Sequence, residues 1–319
     1  MKKYLLIIII IGLLFSCQKS NDSNIERNAS QIESLGINLF NGRMVFKDTT
    51  TFRKHLQWIY KQVNNNSEAI ESFNKTKNFT SLMQIYNYGM NLEKEDFNKY
   101  LIKYPNAFSP IEIDTSIFYE LPSLIGFAYI ANKDGLFQIG DIICRITLDN
   151  FFEIINGDEL RIPKLFLPIN SINDKNIHIY SIHEDQNRYK HLYSYKTTYF
   201  SSKKRIVARL YWDRVNGGIG TYTEYSARTT SQRKRFGAWW QRKINKISVS
   251  WGQGYISDYA GNTDVITSHY YSKSNSADIR KIVYQGSIYP VNNNNSSCLA
   301  NHCGTDDVNL CINNNEIFP

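Results

Sequence analysis

The stretch KRIVARLYWDRVNGGIGTYTEYSA, residues 204–227, limits the possible folds more than any other part of this chain. Side chains of an extended backbone alternate between two faces, so Ile206, Ala208, Leu210 and Trp212 share one of them. Asn216-Gly217 is a tight-turn dipeptide, and Ile219 to Ala227 then alternates back. Ile247, Val249 and Trp251 alternate with serines, and 265–271 and 279–284 supply further strands. Strands at short intervals with turns between them predict a mainly antiparallel, sandwich-like arrangement over about 188–292. The abundance of Tyr, Thr and Trp suits pleated, half-buried surfaces.

Within that region lies TTSQRKRFGAWWQRKINK, residues 229–246, expected to be the long connection from the strand ending near Ala227 to the strand at Ile247. Arg233, Lys234, Arg235, Arg242, Lys243 and Lys246 surround Trp239 and Trp240. Two readings stay open. One tryptophan closes the end of the sandwich under the aliphatic stems of the cations. Alternatively, Trp239 or Trp240 stacks on a sugar face while Arg235 and Arg242 reach acidic groups. Cations plus stacking rings would also suit single-stranded nucleic acid, but the other end of the chain argues against that partner.

That end reads MKKYLLIIIIIGLLFSC. Lys2 and Lys3 precede an apolar run from Tyr4 to Phe15, shorter than the roughly 20 residues a membrane span needs and shaped like a secretory signal. Leu14-Phe15-Ser16-Cys17 resembles the bacterial lipobox, departing from it at Phe15. The resemblance implies cleavage after residue 16, a diacylglycerol on the Cys17 thiol and residence in the cell envelope, in the outer membrane since Gln rather than Asp follows Cys17. Both leaflet orientations stay open. Two or three acyl chains give a stable membrane anchor where one is marginal. Residues 17–42 are then the lipidated cysteine and a polar tether. The formal charge of +8 falls to +6 once Lys2 and Lys3 leave with the signal. A modestly basic envelope protein favours anionic surfaces such as acidic glycans or lipid headgroups. DNA and RNA are scarce there, so no nucleic-acid partner is expected.

Between tether and strands, residues 43–120 read as a small helical module. Asp48 to Thr51 offers caps ahead of Phe52, Leu56, Ile59 and Val63 on one helical face. A second helix carries Ile70 and Phe73, a third follows Thr80, and a fourth follows Asn91 and ends at Pro105. From 121 to 319 the chain is expected to be β-rich, giving an α+β fold. In the strand module at 125–155, Phe127 to Ile130 reads as a strand and Asp134-Gly135 as a hairpin turn. MVFKDTTTFRKHL, NFTSLMQIY and IANKDGLFQIGDIICRIT, taken in order, resemble a group of uncharacterised Bacteroidetes lipoproteins. Phe79, Ser81 and Leu82, then Asn132, Gly135, Gln138, Gly140 and Asp141, match that group's motifs over roughly 43–150. The likeness implies a compartment and an architecture but no mechanism.

With Cys17 assigned to lipid, Cys144, Cys298, Cys303 and Cys311 remain, the last three in the tail 298–319. Four cysteines in an oxidising compartment permit two disulfides with three connectivities. Free thiols, or a tail metal site using His302, are the alternatives, although the spacing matches no common zinc motif. His183-Glu184 starts a zinc-protease motif without its second histidine. His178, His183 and His191 cluster beside Glu184 and Asp185, and adjacent acids such as Asp306 and Asp307 point to opposite faces of a strand. There is no nucleophile elbow, phosphate loop or dinucleotide fingerprint, so no catalytic residue, metal or cofactor is assigned. The resulting expectation is a non-enzymatic, lipid-anchored binding or interaction protein whose partner is a glycan or an envelope protein. An envelope or polysaccharide hydrolase and a purely structural component are the rivals.

Overall fold

The computed structural model describes residues 36–113, 116–182, 192–235, 238–257, 263–286, 300–306 and 308–314. Strands make up 48% of the chain and helices are few, so the class is α+β with several antiparallel sheets.

β1 (Ile37–Phe40) and β2 (Arg43–Phe46) form a hairpin whose first strand and turn fall in the stretch assigned by sequence to the tether, and whose second strand opens the stretch assigned to helices. Its two turn residues, Asn41 and Gly42, have φ of 47° and 72°, the left-handed pair that Asn-Gly adopts most readily. Asp48 accepts from the Thr51 amide (2.7 Å) and caps α1 (Thr49–Asn65), which buries Phe52, Leu56, Ile59 and Val63. After α2 (Ser67–Thr76) comes α3 (Leu82–Gly89), whose cap is Ser81 rather than Thr80, in a reciprocal capping box with Gln84. α4 (Lys94–Lys103) ends before Pro105, and β3 (Ser109–Ile113) pairs with β4 (Ser116–Glu120).

Phe127 to Ile130 form part of a helix, α5 (Ile125–Ile130), not a strand. Every residue of α5 is buried, so no polar face marks its period, and a short apolar run reads alike for either element. β5 (Leu136–Ile139), β6 (Ile142–Ile146) and β7 (Asn150–Ile154) follow. A 3-10 segment (Glu159–Phe166) then leads to β8 (Ile177–Ser181). The sheet order is β1-β2-β5-β6-β7-β8, with β2 and β5 parallel. All four helices from α1 to α4 therefore sit in the crossover between two neighbouring strands. They do not stand apart as a module. Phe46, Phe52, Leu56, Phe127, Phe137, Phe151 and Tyr222 belong to one core, and Phe52 stacks on Phe137 with ring centroids 5.8 Å apart. The apolar stripe of each short helix needs a partner surface, and the helices find it in one another and in a core shared with both the six-stranded sheet and residues Val215, Ile219, Tyr222 and Ile282 beyond it.

The remaining strands are β9 (Leu192–Ser201), β10 (Lys204–Gly217), β11 (Gly220–Arg235), β12 (Ala238–Gln241), β13 (Ile244–Trp251), β14 (Gly254–Ser257), β15 (Thr263–Ile266), β16 (His269–Ser276), β17 (Asp278–Gly286), β18 (Ala300–Thr305) and β19 (Asn309–Asn314). β10 and β11 are the spine of a five-stranded sheet. β9 flanks β10, while β17 and then β12 share the far edge of β11. A second sheet runs β16-β13-β18-β19. Ile206, Ala208, Leu210, Trp212, Tyr225 and Ala227 from the first and Ile247, Val249, Trp251, Ala300 and Ile312 from the second form one core.

Two expectations need correction here. Gly217 pairs with Gly220, so the β10–β11 turn is Gly218-Ile219 rather than Asn216-Gly217. The Glu153 carboxylate fixes it by accepting from the Ile219 amide (3.0 Å), and a Cβ on Gly218 would stand 2.6 Å from Glu153 Oε2. Residues 229–246 are also no loop. β11 runs on to Arg235 and β12 folds straight back on it. Thr229, Thr230, Ser231 and Gln232 are buried although polar, which is why hydrophobic patterning ends the strand too soon.

Candidate functional site

The inward face of β10 and β11 is apolar; the opposite face carries Arg205, Arg209, Tyr211 and Asp213 from β10 and Glu224, Ser226, Arg228, Thr230 and Gln232 from β11. Register sets Arg209 against Arg228 and Asp213 against Glu224. Like charges directly opposite are unfavourable, so other elements must neutralise each pair. Glu120, at the end of β4, accepts from Arg209 Nη1 (3.1 Å) and Arg228 Nη1 (2.7 Å). Asp278 accepts from Arg228 Nε (2.7 Å) and from the Thr230 hydroxyl (2.9 Å). Glu224 accepts from the backbone amides of Ile125 (2.9 Å) and Gly126 (3.2 Å) at the start of α5. Burial pushes the Glu224 pKa up to about 7. Glu120, Asp213 and Glu224 are fully buried beneath the helical layer. Glu224 fastens α5, and Glu120 the β3–β4 hairpin, to the sheet, and none of the three has an open face for a substrate.

The same face reaches solvent at the Arg205 end. Arg205 Nε donates to Gln232 Oε1 (2.8 Å), and its guanidinium lies 4.0 Å from the Trp239 ring centroid. Lys234, directly opposite Trp239 in the β11–β12 register, brings its Nζ to 5.9 Å from that ring. Tyr199 of β9 lies beside it, centroids 6.0 Å apart and planes at 57°. Trp239 is half-buried, Lys234 is exposed and Tyr199 is 54% exposed. Burial lowers the Arg205 pKa, and the neighbouring hydroxyls of Tyr195 and Tyr199 work against that shift.

The sequence candidates thus separate. Trp239 joins this strip. Trp240, one residue on, takes the other face of β12, opposite Arg233. Arg242 is turned away: its Nη2 donates to Asp306 (2.7 Å), which also accepts from Lys204 Nζ (3.3 Å), tying the β12–β13 corner to the β18–β19 hairpin. Arg235 ends β11, and its side chain lies outside the described residues. Arg205 and Tyr199 went unrecognised in the sequence. Only the pairing of 205 with both 199 and 232 brings them to Trp239, and that register is a tertiary property.

Cys303 and Cys311 lie directly opposite each other on β18 and β19 and form a disulfide. Cys144 is a free, buried thiol in the first core, paired with Phe137 across β5–β6, and burial drives its pKa up. Cys17 and Cys298 lie outside the described residues, as do His183, Glu184, Asp185, His191 and Asp307. His178 is exposed on β8, its Nδ1 3.3 Å from the Tyr180 hydroxyl, which donates to Glu153 (3.2 Å). No group of three or more metal-ligating side chains occurs among the described residues.

No family model matches the chain, and no match was found among curated proteins. One solved structure is a weak neighbour: a DUF4848 family protein from Bacteroides thetaiotaomicron VPI-5482, 14% identical, covering 87% of this chain and 98% of its own, with a TM-score of 0.28. At that TM-score the likeness is too loose to carry a fold or a residue's role from one chain to the other.

Proposed function

We propose that this chain is a lipid-anchored protein of the bacterial cell envelope that binds its partner without catalysis, and that the Tyr199–Trp239–Lys234 strip is its binding face. The signal-like start ending in Ser16-Cys17 supports the anchor and the compartment. The sandwich-like pair of sheets supplies a rigid frame for the strip. The observation that carries the reading is the half-buried indole of Trp239, held against Arg205, with an exposed phenol and an exposed ammonium beside it. A stacked guanidinium on a buried stem fixes the ring's orientation before any ligand arrives. A fixed ring flanked by a cation suits a sugar face bearing carboxylate or sulfate. The partner class is therefore an acidic glycan of the envelope or its surroundings.

A carbohydrate array tests this with three variants. Trp239→Ala and Tyr199→Ala are expected to cut retention on acidic glycans at least tenfold. Trp240→Ala, on the opposite face, is expected to change retention less than about twofold, which corresponds to less than about 0.5 kcal/mol. Equal losses in all three, or a melting temperature that collapses in parallel with retention, would make the tryptophans structural and remove the binding face. Product release from the same glycans by the wild-type protein would favour the hydrolase instead.

A further inference from the structure

A second exposed feature lies on the six-stranded sheet, away from the charged layer. The segment from Glu159 to Ser171 exposes Leu160 (86%), Phe166 (42%), Leu167 (49%) and Ile169 (43%) within ten residues. Phe40, at the tip of the β1–β2 hairpin, is 53% exposed. The two are bound together: Asn41 Nδ2 donates to Glu159 Oε2 (3.2 Å), and the buried Arg43 forms an ion pair with the same carboxylate. The ridge is rigidly built. Leu165 is buried among Leu136, Ile143, Phe152, Ile154 and Ile177. Arg145 donates to the Leu165 carbonyl and lies 4.1 Å from the Phe166 ring centroid. Its cations are already neutralised, Arg161 by Asp158 and Asp174, and Lys164 by Asp174 at 2.7 Å. Large apolar side chains grouped on a rigid, uncharged surface mark an interaction site.

The end of the tether identifies what covers it. β1 begins at Ile37, and Phe40 lies three residues further on, about 10 Å away along a strand. Only eighteen residues lie between Cys17 and Gly36, a contour of at most about 65 Å. An acylated Cys17 would thus hold this edge of the molecule within reach of the bilayer and raise its effective concentration there into the millimolar range. Under those conditions a few apolar side chains suffice, because they act on a surface already tethered. We infer that Phe40, Leu160, Phe166, Leu167 and Ile169 form a membrane-docking ridge that seats the folded body on the lipid surface to which Cys17 is anchored. This inference rests on the envelope-lipoprotein reading for its setting. The ridge works by apolar insertion and not by charge, so neither salt nor anionic lipid is required.

The test uses the unacylated mature polypeptide from Gln18 to Pro319, which keeps every core residue, floated with phosphatidylethanolamine–phosphatidylglycerol vesicles and, separately, phosphatidylcholine vesicles. Measurable co-flotation with both is expected, changing less than about twofold between low salt and ~1 M salt, where surface electrostatics are screened. Replacing Leu160, Phe166, Leu167 and Ile169 together by Ser is expected to reduce it at least tenfold. Leu160→Glu alone, at the most exposed position and so harmless to folding, is expected to reduce it several-fold. Absence of flotation by the wild-type chain, or equal flotation by both variants, would overturn the ridge. So would a wild-type dimer on size-exclusion that the serine variant dissolves, since a second copy would then be the occupant. Mass analysis of the Cys17 peptide from native envelopes tests the anchor separately: an unacylated Cys17 with vesicle binding intact removes the anchor and leaves the ridge standing.

Discussion

His55 is fully buried in α1 and enclosed by rings, with centroids of Phe73, Trp58 and Phe46 at 5.0, 5.3 and 5.6 Å. Neither ring nitrogen has a hydrogen-bond partner among the described residues. Burial holds its pKa at about 3, so it stays neutral down to strongly acid pH. An imidazole in such a cage forfeits its hydration and gains nothing that a phenyl ring would not. His55→Phe is therefore expected to stabilise the protein by about 1–3 kcal/mol, raising Tm by a few degrees at pH 7. A lower Tm in that variant would show that the imidazole has a partner, such as a buried water. His302 is different. The Thr229 hydroxyl donates to the Ser248 carbonyl (2.9 Å), so its oxygen accepts from His302 Nδ1 (2.9 Å), which assigns the proton to Nδ1. His302 is thus fastened through one nitrogen, and His302→Phe is expected to destabilise where His55→Phe stabilises.

Among the elements, the β18–β19 hairpin depends most on a single bond. Its strands are six residues each, and Cys303–Cys311 closes a short loop across them. Chain-entropy arguments for a loop of this size give about 2–3 kcal/mol. Cys303→Ser with Cys311→Ser is expected to lower unfolding free energy by that amount and to speed amide exchange first in β18 and β19, as read by urea titration and hydrogen exchange; unchanged exchange there would show that the strands hold without the bond. The elements also show what sequence patterning reaches. The Phe52–Leu56–Ile59–Val63 stripe was legible because the other face of its helix is wet, and the β10 alternation because one buried face is apolar and the other charged. The Asp134-Gly135 turn was legible from its positive φ, but it joins α5 to β5 and not two strands of a hairpin. α5 was not, since burial on every side erases its period. The outer half of β11 was not either, because its buried Thr229, Thr230 and Gln232 are satisfied by neighbours that sequence cannot place. The Asn41-Gly42 hairpin was legible in principle, and was hidden only by lying inside a polar stretch read as tether. At the proposed strip, composition singled out Trp239, whereas Arg205 and Tyr199 needed strand register. The contact of Arg242 with Asp306 was not legible, because the two lie 64 residues apart.

Across the whole molecule, Glu224 of the charged layer and the buried His55 and His302 make stability a function of pH. Glu224 has a folded pKa of about 7 against an ordinary 4.5, so between those values the folded state holds more protons than the unfolded one. Its contribution is complete below pH 4.5 and is lost as pH rises to 7. His55 and His302 have folded values of about 3 against 6.5, so between pH 3 and 6.5 the unfolded state holds more protons, two at most. Their contribution is present above pH 6.5 and lost as pH falls. From pH 4.5 to 6.5 one proton of difference remains, and stability is expected to rise with pH by about 1.4 kcal/mol per unit. Below 4.5 Glu224 no longer opposes the histidines and the decline steepens; between 6.5 and 7 Glu224 acts alone and the curve turns over. Maximum stability is thus expected near pH 6.5, with an abrupt acid side. His55→Phe removes one of the two acid-side protons, which leaves Glu224 and His302 balanced from pH 4.5 to 6.5. Urea unfolding of both proteins at pH 5 and pH 6 is then decisive. The wild type should gain roughly 1.4 kcal/mol over that unit and the variant close to nothing; a variant that keeps the full wild-type slope would mean that the buried histidines are not what makes this fold acid-sensitive.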